Sequence, residues 1–254
     1  MPHWPGMAEL VAVITAGGRV DGAFADLIGT SVKALAPIGD RLLIDAALDA
    51  ARAAGATRIG VVGPAAVLAH CEGRIDEAIP EKPTGEENLR SALATARGAT
   101  LLLLTSDLPF VTAHDVTDFM ERARESDAAM PLSDAAAYDA AFPAAPPHVV
   151  TLGGERVANG SVFFFAPGSA PRVSEIAERL FTARKSLGRM AVLLGPALLG
   201  KFVVRRLRIE DIEARAQRVF GLRIRAIRDA APGLCYDVDT QADYTYALER
   251  MAGG

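Results

Sequence analysis

The 254-residue chain is half apolar and carries 27 Lys and Arg against 31 Asp and Glu, a net charge of −4. That balance suits a substantial core in one large α/β domain, and it gives no general electrostatic argument for nucleic acid or an anionic membrane surface as a partner. Only Cys71 and Cys235 occur, far apart and without metal-ligand spacing, so neither a disulfide framework nor a zinc site is expected and the cytoplasm is the default compartment.

Met1 to Glu9 lacks a basic region leading into an apolar signal core, and the apolar run from Leu10 breaks at Gly17 and Gly18, so export is not expected. Leu10 to Ile14 is a β-branched run and reads as a strand. After a mobile-looking stretch comes the segment from Val32 to Ala56, whose second half takes up helical spacing and closes at Gly55. Arg58 to Gly63 supplies a second strand, Glu86 to Arg97 a helix and Thr100 to Thr105 a third strand, the alternation that βαβ units require. Beyond them come a polar helix from Asp115 to about Glu125, a strand at Ala128 to Leu132, an irregular Ala- and Pro-rich loop from Ala140 to Pro147, and a strand at Val162 to Phe165.

Glu175 to Phe220 reads as helical throughout, with an apolar centre, MAVLLGPALLGKFVV, between Arg189 and Arg205. Gly195, Pro196, Gly200 and Lys201 interrupt it, and it is shorter than the roughly 20 residues that span a bilayer. It reads as a helix packing on the sheet or as a dimer contact. A lid or membrane-surface element is the alternative, suggested by Arg205, Arg206 and Arg208 just after it. Leu222 to Ile227 is a last strand candidate, and a terminal helix opens near Thr240.

Three places share one chemical theme. Gly17 and Gly18 follow a buried strand and let backbone N–H groups face a phosphate or a base edge, although the loop matches neither standard glycine fingerprint. Lys33 beyond it can neutralise phosphate charge, or can be an ordinary surface lysine. Asp107 ends the aliphatic run LLLLTSDLP, where open α/β sheets bind ligands; a carboxylate there can hold Mg²⁺ against a phosphate, or can simply cap the following turn. Along Asp237-Val238-Asp239, strand alternation would put both acids on one face, tolerable when a cation or solvent compensates them.

Taken together, VAVITAGG (Val11 to Gly18) with Lys33, TSDLPF (Thr105 to Phe110), NGSVFFF (Asn159 to Phe165) and DVDTQAD (Asp237 to Asp243) resemble the MobA-like NTP transferase family of nucleotidyltransferases. The likeness spans nearly the whole chain and is nearest to uncharacterised members with a similar GEENLRSAL segment and a hydrophobic helical stretch after an RKS tripeptide, here Arg184 to Ser186. It implies a single Rossmann-like, glycosyltransferase-A type domain over residues 1–254, with a mixed, mainly parallel sheet and a helical insertion at about 175–220. It implies nucleotide contacts from Thr15, Ala16, Gly17, Gly18, Arg19, Asn88 and Ser106, a catalytic set of Lys33, Asp107 and Asp239, and Mg²⁺ on Asp107 and Asp239 with Asp237 beside them. Asn159 and Gly160 would lie near the acceptor.

The implied reaction is transfer of a nucleoside monophosphate from an NTP to a small phosphorylated acceptor with release of pyrophosphate. Two features depart from the family pattern: the stretch between Gly18 and Lys33 is longer than the usual signature loop, with Arg19 its only arginine, and the 175–220 region is foreign to the best-known members. Two other readings stand beside this one. A nucleotide-sugar glycosyltransferase of the same fold would usually carry a DxD where this chain reads Ser106-Asp107-Leu108. A non-catalytic nucleotide-binding or membrane-associated protein would use the apolar segment around Leu193 to Val204. A homodimer is left open.

Overall fold

The computed structural model describes residues 9–183, 195–204 and 206–253. Strand β1 (Leu10–Thr15) leads through helix α1 (Gly22–Ile28) and a 3-10 turn at Lys33–Leu35 to a small hairpin of β2 (Pro37–Ile38) and β3 (Arg41–Leu42), then to helix α2 (Leu43–Ala53). β4 (Arg58–Gly63), α3 (Ala65–His70), β5 (Glu77–Pro80), α4 (Gly85–Ala94), β6 (Thr100–Thr105) and α5 (Ala113–Ala123) continue the alternation. The second half runs β7 (Ala128–Asp134), α6 (Ala135–Ala141), β8 (Val149–Leu152), β9 (Glu155–Asn159), β10 (Val162–Phe165) and α7 (Ala170–Ala183). It ends with α8 (Pro196–Val203), α9 (Ile209–Phe220), β11 (Ile224–Ile227) and α10 (Gln241–Ala252).

The main sheet has the order β5-β4-β1-β6-β10-β7-β9-β8, with β11 beside β7. β5, β4, β1 and β6 are mutually parallel, and β10 runs antiparallel between β6 and β7, so the domain is mixed α/β as expected. The aliphatic runs of β1 and β6 lie side by side, Val11 opposite Leu101 and Ile14 opposite Leu104. Both are buried on both faces, which is why they read as unbroken apolar runs rather than as alternating ones. Alternation still sorts them: Ala12, Ile14, Leu102 and Leu104 join one core with Leu48 of α2, Phe119 of α5 and Tyr244 of α10. Val11, Val13, Leu101 and Leu103 join a second core with Leu93 of α4 and Ala170 of α7. Each fully buried leucine here contributes roughly 1.5–3 kcal/mol by leaving water.

Several segments depart from the sequence reading. The mobile-looking stretch after Gly18 folds as α1, whose Phe24 and Ile28 are buried and whose Gly29 ends it with φ of 70°. The Ala- and Pro-rich loop begins only after α6, a helix started by Asp134, whose Oδ1 accepts from Ala136 N (2.8 Å). The 175–220 region is not one helix, because the chain leaves the helical path between Val203 and Ile209, where Asp211 accepts from Arg208 N (3.1 Å) and starts α9 afresh. Nor does α8 pack as a core helix: none of its residues is buried, and Phe202 and Val203 are exposed. Asp237 to Asp239 has no regular secondary structure and forms no ladder, its Val238 N bonding instead to Asp107 O (3.0 Å). The N-terminal leader reading, Arg184 to Ser186 and the first residues of the apolar run, up to Leu194, lie outside the described residues. No helix among the described residues is long and apolar enough to cross a membrane.

Candidate functional site

The carboxyl ends of β1 and β6 are tied together by Ser106 N bonding to Thr15 O (3.1 Å), and Ala16 N reaches across to Val62 O on β4 (2.8 Å). From that rim the Gly17–Gly18 turn opens onto a cleft of about 850 Å³, lined by Thr15, Gly17, Gly18, Arg19, Lys33, Asn88, Ser106 and Asp107 among others. Ala16 is fully buried beneath it.

The long stretch after Gly18 is a closed excursion. Arg19 pairs with Val32 in an isolated bridge, Val20 N bonds Ser31 O (3.0 Å), and Lys33 N bonds Gly18 O (3.1 Å). The chain thus leaves the glycine turn, forms α1, and returns Lys33 to the place it left. The Lys33 stem then lies against Gly18, where a Cβ would come within 3.1 Å of Lys33 Cε. Gly18 has no positive φ, so the cost of a side chain there is set by how far the Lys33 stem gives way.

At the centre, Lys33 Nζ forms an ion pair with Asp107 and donates to Asp239 Oδ1 at 2.9 Å. The Lys33 and Asp107 side chains are 11% and 9% exposed, whereas Asp239 is 63% exposed. Burial acts against the ammonium, but the Asp107 charge and the hydrogen bonds to Asp107 and Asp239 outweigh it and raise the Lys33 pKa above the ordinary lysine value. The second carboxylate oxygen of Asp107, Oδ1, is buried without a hydrogen-bond partner, and so is Thr105 Oγ1, which lines the same cleft. An acceptor left open in this way is costly unless a ligand uses it. The donor set therefore fits a hard cation: Asp107 and Asp239 are oxygen ligands of opposite exposure at one point, one of them with a lone pair to spare. Among the described residues, no group of three or more His, Cys, Asp or Glu is arranged to hold a metal by itself.

Asp237 faces elsewhere. Its Oδ2 accepts from Ser161 Oγ (3.1 Å) and its Oδ1 meets His148 Nδ1 (3.4 Å), while His148 Nε2 meets Asp243 Oδ1 (2.9 Å). Burial alone would raise the Asp237 pKa, but the bonds from His148 and Ser161 hold it below the usual carboxylate value. The His148 pKa is raised, by the bond to Asp237 against the opposing effect of burial, and then by Asp243. Asp243 Oδ2 also accepts from Thr240 N (2.7 Å) and Thr240 Oγ1 (2.8 Å), closing the capping box of α10. The expected pairing of Asp237 and Asp239 on one strand face is thus replaced by two carboxylates with separate partners.

Asn88, expected near the base, lines the cleft with its amide already engaged: Oδ1 accepts from Lys82 N (2.6 Å) and Nδ2 donates to Lys82 O (3.2 Å). It shapes the wall formed by Glu81, Lys82 and Pro83, which the sequence reading missed because neither charge nor spacing sets those residues apart. Arg19 is held by Glu81 and donates to Gly17 O (2.8 Å). Of the two acceptor candidates, Asn159 lines a separate apolar cavity of about 400 Å³ between β7 to β9 and α7 to α9. Gly160 sits where a Cβ would come within 2.4 Å of Pro131 Cγ and 2.6 Å of Leu234 O, so packing alone requires a glycine there. The neighbouring Ser161 is the residue that joins the site, accepting at its carbonyl from Thr105 N (3.1 Å) and donating to Asp237. The Asn-Gly-Ser spelling was its only sequence signal.

A family model described as MobA-like NTP transferase domain matches residues 12–196. No curated protein matches the chain. Among solved structures, a hypothetical transferase from Thermus thermophilus is 28% identical at a TM-score of 0.77, covering 93% of this chain and 99% of its own. CMP:2-keto-3-deoxy-manno-octonic acid synthetase complexed with CTP is 16% identical at a TM-score of 0.60, covering 97% and 99%. A Mycobacterium tuberculosis protein solved in complex with manganese is 20% identical at a TM-score of 0.51, covering 95% and 99%.

Proposed function

The chain belongs to the MobA-like NTP transferase family of nucleotidyltransferases, and from that premise we propose that it uses a divalent cation, Mg²⁺, to move a nucleoside monophosphate from an NTP onto a small phosphorylated acceptor. The observation that carries this reading is the convergence of Lys33, Asp107 and Asp239 at the carboxyl end of β6, beside the Gly17–Gly18 turn, with Asp107 Oδ1 unpartnered. An acceptor phosphate oxygen attacks the α-phosphorus, a new P–O bond forms, and the bond to the β-phosphate oxygen breaks to release pyrophosphate. Proton transfer is minor in such a step, so positioning and charge neutralisation supply most of the acceleration.

In this reading the backbone around Gly17 and Gly18, with Thr15, Ala16, Ser106 and the wall shaped by Asn88, receives the nucleotide, and Arg19 flanks the phosphates. Lys33 neutralises phosphate charge from a short, buried stem. Asp107 and Asp239 hold the cation, which supplies Lewis-acid polarisation of the phosphoryl oxygens when bound. The manganese in the Mycobacterium tuberculosis neighbour and the CTP in the synthetase neighbour are in keeping with this chemistry. Cleft size supports it too, since about 850 Å³ is within the range of small-molecule sites.

The test is a thermal-shift screen of the four NTPs with Mg²⁺, followed by measurement of pyrophosphate release with candidate phosphorylated acceptors. One NTP is expected to raise the melting temperature by mass action. No shift with any NTP at millimolar concentration, or full turnover in both Asp107→Ala and Asp239→Ala, would overturn the proposal.

A further inference from the structure

Lys33 occupies the approach to the two carboxylates that a cation would use. Its ammonium is paired with Asp107 and lies 2.9 Å from Asp239 Oδ1, so a dication seeking both acids meets a positive charge already between them. Such charges at a few ångströms repel several times more strongly in a protein site than in water. Asp107 is 7% exposed and its Oδ1 is buried without a partner, so one carboxylate oxygen stays unsatisfied while Lys33 engages the other. Among the described residues no third His, Cys, Asp or Glu completes the shell, which leaves phosphate oxygens and water to do so. The Lys33 stem lies against Gly18, on the same rim as the cleft.

We propose that Lys33 is an internal stand-in for the divalent cation. It holds Asp107 and Asp239 together in the nucleotide-free protein, and the triphosphate admits the metal by drawing the ammonium off the carboxylates onto phosphate oxygens. The cation therefore binds as a metal–nucleotide complex and not ahead of the nucleotide. This rests on the nucleotidyltransferase reading above. One residue thus has two opposite effects: it opposes free metal and favours metal-bound triphosphate.

The experiment is an electron paramagnetic resonance titration of Mn²⁺ onto the full chain, alone and then with each of the four NTPs. Wild type is compared with Lys33→Met, which keeps the stem without the charge, and Lys33→Gln, which retains a polar end if burial of Met proves disruptive. Without nucleotide, the variants are expected to bind Mn²⁺ about tenfold more tightly than wild type or better, and adding Asp107→Asn to either should remove the gain. With the productive NTP the order should reverse, wild type holding the Mn²⁺–NTP complex more tightly. Equal affinity of wild type and both variants for free Mn²⁺ would overturn the inference while leaving the nucleotidyltransferase reading in place. If no NTP is bound with Mn²⁺ by the wild type, both fail together.

Discussion

Two acidic clusters flank the short segment from Asp237 to Asp239, and they differ in what their oxygens do. Asp237 and Asp243 are engaged by Ser161, His148 and the Thr240 cap. Asp107 and Asp239, by contrast, share one ammonium, and Asp107, which lines the cleft, keeps a buried acceptor without a partner. Residue type does not distinguish the clusters; the count of satisfied lone pairs does. A saturated carboxylate holds the chain in place, whereas an unsaturated one at a strand end is available to a ligand.

The sharpest break of that contrast is chemical. Asp107→Asn should lower turnover by about 10²–10³, the usual loss on removing one preorganised electrostatic group, with the circular dichroism spectrum unchanged; pyrophosphate release measures it. On the saturated side the loss should be in stability. Gly160→Ala, which drives a methyl into Pro131 and the Leu234 carbonyl, should cost about 3 kcal/mol in urea unfolding. Asp243→Ala removes both the α10 cap and a His148 partner and should cost about 2 kcal/mol, with a smaller effect on turnover than Asp107→Asn.

The smallest expected effect is on pH dependence. His148 has a folded pKa raised above its ordinary 6.5, so its stabilising contribution is complete below pH 6.5 and is lost as pH rises through the folded value. The stability gap between wild type and His148→Gln should therefore shrink from pH 6 to pH 8, as read by urea midpoints. A gap that widened over that range would show that the imidazole enters the cluster uncharged.

The central strands and the glycine turn were legible because doubly buried parallel strands write themselves as aliphatic runs, and Asp107 stood out as the acid ending one. Asp237 to Asp239 misled because alternation describes any extended chain, while strand formation needs a ladder partner, and the Val238 amide turns to Asp107 instead. His148 was hidden in a segment whose composition announced only irregularity, since its meaning lies in residues 89 and 95 positions away. α1 went unseen for a related reason, as a short helix bounded by Gly22 and Gly29 has little periodicity of its own and is held by Phe24 against Tyr244, centroids 5.5 Å apart.

Because the Arg19–Val32 bridge closes the neck of the excursion that contains α1, the chain between them is a module with a fixed base. Its length is decoupled from the position of Lys33, and closing a somewhat longer loop costs only about 0.6 kcal/mol per doubling. That makes the exposed Gly29 turn at the end of α1, beyond the buried Phe24 and Ile28, a natural place to insert a reporter or a recognition peptide without altering Lys33 or the groups around it.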